Sequence, residues 1–157
     1  MENIEQKKAK IVDLANQIYP CLWFDGQAQE AAKLYCSIFK NSKIVEDNQM
    51  VVIFELNGRK FMGLNGGPQF KFNEAISLVI DCETQDEIDH YWDSLTADGG
   101  KEGQCGWLKD KFGMSWQIVP SVLPTLLKDP SKAQQVMTAY MKMKKFDISI
   151  LKKAYEQ

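Results

Sequence analysis

Two of the side chains on which most protein chemistry depends are almost missing from this chain. Among 157 residues there is one histidine, His90, and one arginine, Arg59. A single histidine excludes, within one subunit, a two-His metal cage or a two-His-one-carboxylate triad. That histidine reads as lying on an outward helix face, which leaves a Cys or Ser nucleophile without a nearby general base. The scarcity of Arg weighs against bidentate readout of phosphate or guanine, so no nucleic-acid partner is expected. No C-x-x-C pair occurs among Cys21, Cys36, Cys82 and Cys105, which read as reduced, buried, small apolar residues without structural zinc. No apolar run reaches the roughly 18 residues of a membrane span. The opening stretch, Met1 to Lys8, lacks the apolar segment of a signal peptide, which predicts a cytosolic protein with no membrane partner.

What is present is a sizeable apolar fraction, 45%, with a net charge of only −2, the balance of a folded domain and not of a disordered chain. Charge is uneven. Residues 128–157 hold seven Lys against three acids, and the lysines at 142, 144, 145, 152 and 153 read as the solvated face of short helices or as a docking surface for an acidic partner.

A faint internal repeat organises the chain. Asp25 and Asp81 are 56 positions apart, as are Tyr35 and Tyr91, and Gly58 and Gly113 are 55 apart. In the first copy, residues 18–25 alternate as a strand and 27–39 carry Ala28, Ala31, Ala32, Tyr35 and Phe39 at helical spacing. Strands at 50–56 and 59–64 flank Asn57-Gly58, a dipeptide suited to a type I′ hairpin. In the second copy, residues 76–80 read as a strand. Thr84-x-x-Glu87 forms a capping box before a helix with Ile88, Tyr91, Trp92 and Leu95 on one face, and strands close it at 103–108 and 114–119.

The fold class predicted is α+β, two βαβββ modules at 18–66 and 75–120, each placing a curved sheet against one helix. An N-terminal helical extension is expected over residues 1–17 and C-terminal helices over 121–157. For the latter, Ser121, Asp129 and Asp147 are candidate caps, and Pro124 and Pro130 fall in first turns where no amide donor is needed. Met137, Met141 and Met143 read as core or dimer packing.

Several segments resemble PhnB-like proteins, often labelled 3-demethylubiquinone 3-methyltransferase, of the vicinal-oxygen-chelate superfamily that includes glyoxalase I, bleomycin-resistance proteins and extradiol dioxygenases. They are residues 20–35 (PCLWFDGQAQEAAKLY), 61–67 (FMGLNGG), 103–113 (GQCGWLKDKFG) and 115–120 (SWQIVP). The resemblance implies paired βαβββ modules, commonly a homodimer, and in catalytic members a divalent metal held by inward His and Glu. Four residues after its turn glycine, where such a Glu would stand, the second copy has Gln117 and the first has Met62. His90 lies on a helix among Asp86, Glu87 and Asp93, a surface position.

No cofactor is therefore expected, and no catalytic residue is assigned. Methyltransferase chemistry lacks its Gly-rich strand-to-helix loop, since Asn65-Gly66-Gly67 is followed by Pro68 and reads as a linker. Strand parity sends Cys21, Trp23, Met62, Leu64, Ser77, Ser115 and Gln117 to the sheet faces away from the helices, with Asn65 at the rim and Trp107 near the mouth. These residues suit a flat or partly apolar small molecule held by a homodimer. The alternative is an enzyme with an atypical metal site built on Cys21, Glu74 and Gln117.

Overall fold

The computed structural model describes residues 17–157, so the helix expected near the N-terminus lies outside the described residues. The chain divides into two compact units, ending at Gln69 and beginning at Phe70.

In the first unit, β1 (Cys21–Phe24), α1 (Ala28–Ile38), β2 (Lys43–Asp47), β3 (Val51–Leu56) and β4 (Arg59–Asn65) follow in the order βαβββ. They form a sheet ordered β1-β4-β3-β2, with β1 parallel to β4 and the other pairs antiparallel. Asn57 and Gly58, at φ 50 and 75, are the only residues between the paired Leu56 and Arg59, as the type I′ reading required. Ala28, Ala31, Ala32, Tyr35 and Ile38 are buried, facing Leu22, Phe24, Val52, Phe54, Leu56 and Phe61 of the sheet. Small alanines let the helix approach closely while Tyr35 and Phe54 fill the remaining space with rings 6.2 Å apart. Strand β2 was missed by the sequence reading. Lys-Ile-Val-Glu-Asp is an edge strand with a register shift after Ile44, and nearly all its residues are exposed, so hydrophobic alternation leaves little trace.

The second unit repeats the order: β5 (Leu78–Cys82), α2 (Gln85–Thr96), β6 (Lys101–Glu102), β7 (Trp107–Lys109) and β8 (Ser115–Pro120), in a sheet ordered β5-β8-β7-β6. Thr84 and Glu87 make the expected reciprocal capping box, and Ile88, Trp92 and Leu95 are buried. The closing hairpin differs from that of the first unit. Residues 110–114 lie between the paired Lys109 and Ser115, and they wrap around a carboxylate, that of Asp110. It is 3% exposed and accepts from Phe112 N (2.9 Å), Met114 N (3.0 Å) and Trp116 Nε1 (2.8 Å). Trp116, itself 2% exposed on the helix side of the sheet, thereby satisfies its indole N–H.

Three further helices complete this unit: α3 (Leu123–Leu126), α4 (Pro130–Tyr140) and α5 (Ile148–Glu156). Asp129 and Asp147 cap α4 and α5 as expected. Ser121 does not cap α3. That place falls to Val122 without a side-chain bond, and the Ser121 amide donates instead to Cys82 O. The segment before α5 is tied to its own unit through Cys105 N to Met143 O, Gly106 N to Lys144 O, and a two-way exchange in which Gln85 donates to Phe146 O and accepts from Ile148 N. Met137 and Met141 are exposed in the chain and do not join its core.

Candidate functional site

Each sheet has a face turned away from its helix, and the residues singled out from sequence parity lie on those faces. In the first unit the alternation along β1 leaves Cys21 exposed and Trp23 half-buried, with Leu22 and Phe24 in the core. The parallel register sets Cys21 beside Met62 and Trp23 beside Leu64, and the antiparallel one adds Ile53 and Val51. An apolar, sulfur-bearing surface with one indole results. Trp23 is held in place: its Nε1 donates to Gly67 O at 2.8 Å, and a Cβ at Gly66 would collide with the ring. Asn65-Gly66-Gly67 is thus a seat for the Trp23 indole. Both glycine amides donate to Phe24 O. Asn65, expected at the rim, is committed to the protein: Oδ1 accepts from Ala28 N at the start of α1, and Nδ2 donates to Gln29 Oε1 and Gln49 O.

In the second unit Gln117 lies half-buried on the open face, with Val79 and Trp107 as strand neighbours. Its Nε2 donates to Ser77 Oγ at 2.8 Å, so two predicted residues are brought together. Ser115, two positions earlier, is 0% exposed. A groove of about 550 Å³ includes Trp107, Lys109 and Ser115 in its wall, and Glu74 and Lys109 pair across it at 2.5 Å. The Lys109 hydrogen bond holds the Glu74 carboxyl below its ordinary range.

The cysteines are free, as expected, but only Cys82 is buried. Cys21 sits on an open sheet face, and Cys105 occupies a left-handed turn at φ 56, so neither reaches a core. Burial, then the nearby Glu87 and Asp81, pushes the Cys82 thiol up to about 12, and desolvation raises Cys21 as well, so both favour the protonated, unreactive form. His90 is exposed on α2, its ring 5.0 Å from that of Tyr91.

Among the described residues no three His, Cys, Asp or Glu side chains gather as a metal-binding group. The divalent metal of the superfamily does not fit the donors present: an amide already bonded to a serine, a thioether, and a thiol held protonated. A methyl-donor cofactor fits no better, because both sheets are mixed, Gly66-Gly67 packs an indole, and Gly99-Gly100 follows a helix instead of opening one.

Part of the basic tail is neutralised within the second unit. Lys144 pairs with Glu102 (3.3 Å), and Lys145 with both Asp89 and Asp93 (3.1 Å each). No helix among the described residues is long and apolar enough to cross a membrane.

Residues 16–119 match the family model described as 3-demethylubiquinone-9 3-methyltransferase. No curated protein matches the chain. Among solved structures, a putative 3-demethylubiquinone-9 3-methyltransferase, PhnB protein, from Bacillus cereus is 32% identical, with 68% of this chain and 100% of that one covered at a TM-score of 0.62. A glyoxalase-related enzyme from Fulvimarina pelagi is 16% identical (69% and 90% covered, TM-score 0.51). The fosfomycin resistance protein FosX of Listeria monocytogenes, complexed with Mn(II) and sulfate, is 14% identical (73% and 97% covered, TM-score 0.54). The last two share the fold, which is the α+β glyoxalase/bleomycin-resistance type.

Proposed function

We propose that this chain, which belongs to the 3-demethylubiquinone-9 3-methyltransferase (PhnB-like) family of the glyoxalase/bleomycin-resistance superfamily, binds or sequesters a small molecule without metal, as a homodimer. The observation that carries the reading is the pairing of a retained open sheet face with an altered donor set. Trp23 and its apolar neighbours offer a stacking surface, and Gln117 offers an amide oxygen with no donor on it among the described residues. Where a metal-using site needs several hard or imidazole donors together, the open face of the first unit supplies sulfur and indole, and that of the second, taken by itself, supplies an amide; such groups recognise flat, partly apolar molecules. Methyl transfer finds no support in the residues, despite the family's description, because among the described residues no Gly-rich loop runs from a strand into a helix to cradle a nucleotide-like cofactor.

The test is a thermal-shift screen of aromatic small molecules, with the best binder carried into Trp23→Ala. Affinity should be lost while the melting temperature and native mass stay near wild type. An affinity unchanged by the substitution would remove Trp23 from the site.

A further inference from the structure

The groove of the second unit contains a hydroxyl that its fold leaves unused. Ser115 is 0% exposed, and its Oγ has no hydrogen-bond partner among the described residues. Burying a hydroxyl without a partner is costly, and the group keeps a donor and an acceptor unused. Its cross-strand neighbour on the same face is Lys109, and the neighbour of Lys109 on β6 is Lys101. Two lysines directly opposite one another repel. Two carboxylates line the groove: Glu74 takes Lys109, and Glu102 takes Lys144. Among the described residues no acid lies within ion-pair distance of Lys101. Glu74 enters from the irregular segment before β5 and its side chain is 64% exposed, so it can leave the groove at little cost to the fold. Trp107, half-buried two residues from Lys109, forms an aromatic wall.

Resting on the small-molecule reading above, we propose that this groove is a carboxylate subsite: the carboxylate of a flat aromatic ligand replaces that of Glu74 on Lys109, accepts the Ser115 hydroxyl proton in a hydrogen bond, and is drawn in by Lys101 while its ring lies against Trp107. Lys109 only donates and Ser115 can donate beside it, which favours an anionic acceptor. The protein's own carboxylate on Lys109 shows which anion the position accommodates, and its departure leaves two ammonium groups facing the incoming one.

The probe is 1-naphthoate, titrated calorimetrically into the full chain, with 1-naphthalenemethanol as the neutral counterpart and inorganic phosphate as the anion without a ring. The acid should bind more tightly than the alcohol, and phosphate should bind weakly. Glu74→Gln, which removes the competing carboxylate, should tighten 1-naphthoate severalfold. Lys109→Met and Ser115→Ala should each weaken it about tenfold, the worth of a charge-assisted hydrogen bond. Melting temperatures of the variants check that the fold is intact, and Glu74→Gln alone decides the matter if Lys109→Met unfolds. Weaker binding in Glu74→Gln, or equal affinities for acid and alcohol, would overturn the subsite. If the alcohol binds, is lost in Trp23→Ala, and the acid gains nothing, the subsite falls and the general reading survives. If neither naphthalene binds, both fall.

Discussion

Trp23, Gly66 and Ser115 illustrate how much a single side chain decides here. The Trp23 indole rests on the Gly66 backbone, where a methyl group would overlap the ring. Gly66→Ala should therefore expel the indole, seen as a change in tryptophan emission, and cost about 1–3 kcal/mol in urea unfolding, the range for overpacking. Ser115→Ala has the opposite sign. It removes a buried hydroxyl with no partner and should leave stability unchanged or raise it by about 1 kcal/mol, measured by the same titration. A loss above that would mean that the hydroxyl is already satisfied. Strand alternation foretold which face Cys21, Trp23 and Gln117 occupy, because a side chain's side of a sheet depends only on parity. The partners of those side chains were not legible. That Asn65 caps α1 and that Gln117 meets Ser77 both depend on contacts between segments distant in sequence.

Among the elements, the C-terminal helices depend most openly on charge. Asp147 accepts from Ser149 Oγ and Ile150 N, and the hydrogen bonds hold its carboxyl below the ordinary range. Asp129 is lowered in the same way by Ser131, and Asp89 chiefly by Lys145 and Gln85. Depressed folded values mean stability that is present above the unfolded carboxylate range near pH 4 and lost as the pH falls through the folded values. Asp147→Ala should cost about 1 kcal/mol at pH 7 and less at pH 2, as the wild-type carboxylate takes up its proton. Denaturation midpoints at the two pH values check this, and an equal loss at both would show that the cap does not act through its charge. Burial works against the charged form of Lys145, but hydrogen bonds to Asp93 and Asp89 outweigh it and raise its pKa. A lysine that sequence composition assigns to a solvated run thus fastens the stretch before α5 to α2. Short-range signals identified these caps correctly, since each joins residues two or three positions apart. Edge strand β2 escaped notice because exposure removes the pattern by which strands are read.

At the scale of the molecule, the homodimer and metal-free state proposed above meet one decisive measurement. Elemental analysis of protein purified without chelator, run with its native mass, should find well below one divalent ion per subunit and twice the 18.0 kDa chain mass. About one ion per subunit would revive the atypical metal enzyme built on Cys21, Glu74 and Gln117. The duplication, and every strand of it but edge strands β2 and β6, could be read from the chain itself, because the offsets of 55 and 56 residues, the hairpin dipeptide, the capping box and the alternation of β1 and β8 are local or periodic properties. So could the poverty of the donor set, since one histidine cannot become two by folding. Tertiary structure alone decided that Gly66-Gly67 seats an indole and that Lys101, Lys109 and Ser115 share a groove with the distant Glu74. Those facts arise from strand order and register, which set neighbours across tens of residues, where sequence spacing carries no distance information.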